Sequence, residues 1–164
     1  MKKLQPPDWA EPKGYANGII ARGSLIFVGG QIGWTSSQQF ESDDFIVQTR
    51  QALLNIVAVL QAAGAGPEHM VRMTWYVVDR IEYTARLKEL GAVYREVMGK
   101  NFPAMTCVEV SGLVEDRARI EIEVTAVMPD CKHAANTWLT WSTRWLNRCQ
   151  ACRGCQRCGR SSVI

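Results

Sequence analysis

The chain has 164 residues, 47% of them hydrophobic, which is enough to bury one core of its own. Its formal net charge of +3 is unevenly placed: residues 1–130 hold 13 basic and 16 acidic side chains, whereas residues 131–164 hold six basic and no acidic ones. A mildly acidic body argues against binding to phosphate backbones by net charge, and no apolar run reaches the length of a membrane span. Pro6, Pro7 and Asp8 interrupt the start, MKKLQPPDWAEPKG, so it has no signal-type apolar core. The body is therefore expected in the cytoplasm, and Cys107, its one cysteine before residue 131, suits a reducing compartment.

The stretch LIFVGGQI, residues 25–32, is rich in β-branched and aromatic residues and follows an Arg22-Gly23-Ser24 turn. With GYANGIIA before it, it predicts a β-hairpin. Ser42 is the predicted cap of a first helix, with Asp43 and Asp44 in the first turn, where the helix dipole favours anions. Ile46, Leu53, Ile56, Val57 and Leu60 recur at helical spacing until Gly64 and Gly66-Pro67 stop the element. MVRMTWYVV, residues 70–78, predicts a strand. Asp79 and Glu82 then have the spacing of a capping box for a second helix, whose stripe is Tyr83, Leu87, Leu90, Tyr94 and Met98. Gly99 and the Asn101-Phe102-Pro103 turn end it.

Two more strands follow, MTCVEV and ARIEIEVTAVM. In the second, Ala118, Ile120, Ile122, Val124, Ala126 and Met128 point one way and Arg119, Glu121, Glu123 and Thr125 the other. The order β-β-α-β-α-β-β describes an α+β domain with two helices on one face of a sheet. In the simplest register the opposite face carries Cys107, Glu109, Glu121 and Glu123. That face is either solvated or meets another subunit around a polar site.

Residues 131–164 change character. They bring Trp138, Trp141, Trp145, five arginines and five cysteines, four of these (Cys149, Cys152, Cys155, Cys158) at every third position. The run lacks the longer loop between paired zinc ligands and the fourth spacing and proline of a ferredoxin run. The enrichment in codons with G in second position favours a non-native tail, frameshifted or read through, or a disordered one. Incidental thiol metal binding and a genuine appended module, including a short amphipathic helix at a membrane surface, are the alternatives. The division is thus 1–130 and 131–164.

FPAMTCVEVSGL followed by RIEIEVTAV, with GYANGI, FVGGQIG, HMVRMTWYVVD and YREVMGKNFPA in order before them, resembles the RidA/YjgF family of reactive-intermediate deaminases over roughly residues 14–130. The resemblance implies a chorismate-mutase-like α+β fold, a homotrimer packed through its sheets, three clefts between subunits, and no metal or organic cofactor. It implies hydrolysis of imines and enamines released by pyridoxal-phosphate enzymes, with a signature arginine gripping the substrate carboxylate. This chain has Met105 at that position, Gly29 where serine is common and Gly91 where asparagine is common on the second helix.

Methionine offers only a weak acceptor where guanidinium binds a carboxylate bidentately. A desolvated carboxylate left without its partner costs about 3–5 kcal/mol, or roughly two to three and a half decades of affinity at about 1.4 kcal/mol per decade. Small 2-iminocarboxylates are therefore expected to bind poorly and a larger or less charged group to bind better; the resemblance extends to related proteins associated with 2-aminomuconate deamination, which implies such a compound by analogy.

The resemblance implies Glu121 as the catalytic group, holding a water and moving a proton; the alternative is a solvated strand glutamate. It implies Tyr15, Gly30, Met105 and Cys107 at the substrate. Tyr15 would offer a hydroxyl at the rim or merely pack the hairpin, and Gly29-Gly30 would let backbone N–H groups approach a ligand or form a bulge. Cys107 would line the cleft or act as a small buried hydrophobe; no His-Asp pair activates it. His69 and His133 have no second metal ligand beside them. The expected function is imine or enamine hydrolysis to a carbonyl compound and ammonia, by a trimer with neither nucleic-acid nor membrane partners. A non-catalytic metabolite-binding or enzyme-docking trimer is the alternative, and the acidic body speaks against ribonuclease activity.

Overall fold

The computed structural model describes residues 1–130; the readings made of residues 131–164, His133 and the cysteine run included, lie outside the described residues. A two-stranded antiparallel ribbon pairs β1 (Lys2–Leu4) with β2 (Gly18–Ile20). The main sheet has four strands in the order β3 (Ser24–Ile32), β6 (Ile120–Met128), β4 (Met70–Val77), β5 (Ala104–Glu109). Its β3–β6 and β6–β4 pairs are antiparallel, and β4–β5 is parallel.

The predicted hairpin is corrected by this pairing. Lys3 stands opposite Ile19, and β3 pairs with β6 instead, bringing Val28 beside Val124 and Ile26 beside Ala126. The long alternating β6 offers β3 an apolar partner that the three-residue β2 does not, and burying such pairs is what stabilises a sheet.

The helices follow the apolar periodicities, with their ends shifted. Helix α1 (Phe45–Ala62) is capped by Asp44, whose Oδ1 accepts from Ile46 N at 2.9 Å and Val47 N at 3.0 Å. The expected cap, Ser42, instead accepts from Asp44 N, which holds the capping residue in place. The second predicted helix is two: α2 (Arg80–Ala85), capped by Asp79, and α3 (Leu87–Met98), with the break at Arg86. Glu82 does not complete a capping box, because its carboxylate receives Arg119 Nη2 at 2.5 Å. Gly99, at φ 66°, closes α3 in a conformation that glycine adopts without strain.

Both helices lie on one face of the sheet. Leu53, Ile56 and Leu60 of α1 and Leu90, Tyr94 and Met98 of α3 pack with Met73, Trp75, Val77, Ile120, Ile122 and Val124, all of them buried. Each such side chain contributes about 1.5–3 kcal/mol of burial. By length and composition α1 could cross a membrane, but its apolar stripe is spent on this core. This is the mixed α+β architecture with two main helices expected from the sequence.

The intended partners of β5 and β6 are separated by β4. The parallel β4–β5 register sets Met105 beside Met73, Cys107 beside Trp75 and Glu109 beside Val77, on the helix side. Glu121 and Glu123 stand opposite Tyr76 and Thr74, on the open side. Cys107 and Glu109 therefore do not share a face with Glu121 and Glu123, contrary to the simplest register.

Candidate active site

The open face is built by alternation along two strands. Arg72, Thr74 and Tyr76 alternate along β4 with the buried Met73, Trp75 and Val77, and Glu121 and Glu123 alternate along β6 with Ile120, Ile122 and Val124. Tyr76 donates its hydroxyl to Glu123 Oε1 at 3.2 Å. Desolvation, with the neighbouring Glu123 carboxylate, raises the Tyr76 pKa above its ordinary value. Glu121 is Tyr76's cross-strand partner, and its own carboxylate, half-buried, makes no hydrogen bond among the described residues. Thr74, almost wholly buried, has no partner for its Oγ1 among them either.

Gly30 makes room for Glu121. The register of β3 against β6 shifts between Val28 and Gln31, so Gly29-Gly30 forms a bulge. A Cβ at residue 30 would stand 2.6 Å from Glu121 Cδ and 2.8 Å from Cγ. Gly29 has open space above it, while Gln31 Nε2 donates to the Gly29 and Gly30 carbonyls at 3.2 Å each. The bulge and the approach of a functional group to glycine backbone are therefore both present, the functional group being the chain's own carboxylate.

The remaining candidates gather at the β5 edge, on the helix side. Met105 is partly buried and packs against the core. Cys107 lies further along the edge, exposed as a residue, with Tyr83 of α2 as its neighbour. Desolvation raises its pKa, with Tyr83 acting in the opposite direction, so the group is a thiol rather than a ready nucleophile. Burial, with Cys107 as the next cause, pushes Tyr83 up to about 12. Tyr15 is brought to the same edge because Ala16 N donates to Pro103 O at 2.8 Å and Ala16 bridges Ala104. Tyr15 itself is 44% exposed. The structure thus joins Gly30 to Glu121 on one side of the sheet and sets Met105 and Cys107 along β5 on the other, with Tyr15 beside the start of that strand.

A fixed loop leads into β6. Gln48, buried in α1, donates to Ser42 O at 3.0 Å and Arg117 O at 2.9 Å and accepts from Arg119 N at 2.8 Å. Two residues later the chain reaches Glu121. Sequence reasoning missed this clamp, and it missed Tyr76 and Tyr83. The alternation of polar Arg72, Thr74 and Tyr76 with Met73, Trp75 and Val77 was a signal for Tyr76; nothing in the sequence announced that Tyr83 would meet Cys107. His69 Nδ1 accepts from Gly66 N at 3.0 Å, a structural role. Among the described residues no three His, Cys, Asp or Glu side chains group as a metal site.

With this geometry in view, comparison with known proteins is specific. The family model described as endoribonuclease L-PSP matches residues 9–128. A RutC family protein of Synechocystis is 33% identical over 132 residues, covering 79% of this chain and 98% of the relative. A 2-iminobutanoate/2-iminopropanoate deaminase of Salmonella typhimurium is 34% identical over 113 residues, covering 69% of this chain and 86% of its own length. A crystal structure from Yersinia pestis, described as a Rid family protein of unknown function, superposes with a TM-score of 0.70 at 26% identity, covering 77% of this chain and 98% of that one. The chain belongs to the RidA/YjgF (Rid, RutC) family.

Proposed function

We propose that the protein is a Rid-type hydrolytic deaminase that converts an imine or enamine to a carbonyl compound and ammonia, with Glu121 as its catalytic group. Family membership supports imine deamination at the level of the reaction. The observation that carries the assignment to Glu121 is its seat: an unpartnered carboxylate on the open face, held over a glycine that leaves it space.

In the proposed reaction, water attacks the carbon of a protonated C=N as Glu121 accepts one of the water's protons, forming the C–O bond and a neutral carbinolamine. The glutamate returns that proton to nitrogen and then takes the hydroxyl proton as the C–N bond breaks, so that ammonia leaves as the carbonyl forms. Proton transfer by one positioned side chain supplies about 10²–10⁴ in rate.

The two groups of candidate residues lie on opposite sides of one sheet, so no single chain closes both on one substrate. That separation supports a homotrimer in which the Gly30–Glu121 group of one copy faces the β5 edge of another. Phe27 and Leu25, 74% and 60% exposed on the open side of β3, supply apolar area for such packing. Met105 favours a substrate with an apolar or longer chain over a small 2-iminocarboxylate, and a cytoplasmic setting fits the reaction. We further propose that the Rid-like domain comprises residues 1–130.

Ammonia release from 2-aminoacrylate-type and 2-aminomuconate-type substrates tests the reading. Turnover above buffer supports it; a folded oligomer that turns over neither leaves the non-catalytic binding trimer in its place.

A further inference from the structure

Helix α3 presents three flanks that its contacts identify. Residues advance by about 100° each around an α-helix. Leu90, Tyr94 and Met98 are buried against the sheet. Val93, Glu96 and Val97 lie on the flank toward α1, since Arg50 of α1 reaches Glu96 Oε1 at 2.7 Å. Gly91 and Arg95 lie on the opposite flank. Because α1 packs on β3 and β6 and Tyr94 meets Trp75 of β4 and stacks on Phe102 just before β5, with ring centroids 5.3 Å apart in the latter pair, that opposite flank is the one toward the β5 edge.

Arg95 lies across Gly91. Its Nη1 is 3.3 Å, and its Cζ and Nη2 each 3.9 Å, from where a Cβ of residue 91 would be. The guanidinium therefore covers the space a side chain at 91 would occupy. It is exposed and, like Arg22 and Arg72, makes no ion pair among the described residues, whereas Arg50, Arg80, Arg86, Arg117 and Arg119 are each engaged with a carboxylate. Along this edge Met105 carries no charge, and the Glu109 carboxylate on the same side of β5 is engaged by Arg80, whose backbone N–H donates to it at 2.9 Å.

We infer that Arg95 is the anion-binding, specificity-determining residue of this half of the site. It receives a substrate carboxylate separated from the reacting carbon by an apolar chain that runs over Met105. The guanidinium fork suits a carboxylate, and methionine's flexible thioether suits a chain of carbon atoms. Gly91 contributes by leaving the guanidinium room to lie flat. The inference rests on the deaminase reading for the identity of the site, but it is tested through binding. Arg95 also sits in the last turn of α3, where a cation favours the helix, so loss of helix stability must be separated from loss of ligand.

The test is titration of the full chain with muconate, a six-carbon dicarboxylate, and with pyruvate, followed by NMR shifts or calorimetry. Arg95→Gln should weaken muconate binding at least about tenfold, Arg95→Lys less so, with melting temperature within a few degrees of the parent. Gly91→Leu, which keeps the charge but displaces it, should weaken muconate similarly. Pyruvate, whose carboxylate adjoins its carbonyl, should bind weakly and be indifferent to residue 95. Muconate affinity unchanged in Arg95→Gln, or absent from the parent protein, overturns the inference. Ammonia release insensitive to Arg95→Gln would also overturn it while sparing the deaminase reading. Arg95-dependent muconate binding without any turnover would uphold the inference and remove that reading.

Discussion

Replacing Gly30 with alanine adds one methyl group, yet under the proposed role of Glu121 it should carry a large catalytic cost. The new Cβ would overlap Glu121 Oε1 and meet Cδ at 2.6 Å and Cγ at 2.8 Å, where carbon atoms prefer about 3.5–4.0 Å. The carboxylate must retreat by at least about 1 Å, and a 1 Å misplacement costs about 10² in rate. That corresponds to about 2.7 kcal/mol of transition-state stabilisation. Stability should hardly change, because Gly30 is exposed, is not in the positive-φ region, and Glu121 can swing into solvent. Steady-state ammonia release should show kcat reduced about a hundredfold, with an unaltered melting temperature. Adding Gly30→Ala to Glu121→Ala should cost nothing further, because the glycine acts through the glutamate. A Gly30→Ala protein with parental kcat would refute the seat; an additive double variant would show that residue 30 acts by another route.

Met105→Arg should raise 2-aminoacrylate hydrolysis at least about tenfold without changing oligomer mass, since arginine's stem can cover the surface that methionine does while its fork reaches past the β5 edge; an unchanged rate in a folded protein would show that the edge has diverged beyond this residue. Gln48→Leu strips partners from Ser42 O, Arg117 O and Arg119 N and should lower stability by about 3 kcal/mol in denaturant unfolding, each buried orphan costing about 1–3 kcal/mol. Asp44→Ala should cost about 1 kcal/mol as a lost helix cap. The Arg86 hydrogen bond depresses the Asp44 pKa below its ordinary value of 3.8. Its stabilisation is complete above that value and is lost as pH falls through the lower folded value, so the variant's urea midpoint should fall less steeply between pH 4 and pH 2 (about this window). Parallel acid limbs would rule out the Asp44–Arg86 coupling.

Much of the fold was legible because periodicity within an element is a local property. The stripes Leu53–Ile56–Leu60 and Leu90–Tyr94–Met98, and the alternation of Ile120, Ile122, Val124 and Ala126, are the core that forms. Pairing between elements is not local. Alternation says which residues of one strand share a side, but not how two strands are phased, so the simplest register puts Cys107 and Glu109 on the side of Glu121, whereas β4 lies between their strands. The first helix start moved from Ser42 to Asp44 because both side chains suit a cap, and the geometry uses them in series. The resemblance named Glu121, Gly30, Met105, Cys107 and Tyr15. What it could not convey was that Gly30 serves Glu121, or that Arg95 overlies Gly91, since both are contacts made only once the chain is folded.

The central claim is that Glu121 carries the chemistry, and the kcat of Glu121→Gln tests it most directly. Glutamine keeps the shape of the side chain but cannot take up the proton of the attacking water. On a 2-aminomuconate-type imine at saturating concentration, with oligomer mass and melting temperature matching the parent, ammonia release should fall at least about a hundredfold. A Glu121→Gln protein that releases ammonia at the parental rate would contradict the account and place the proton transfer on another group.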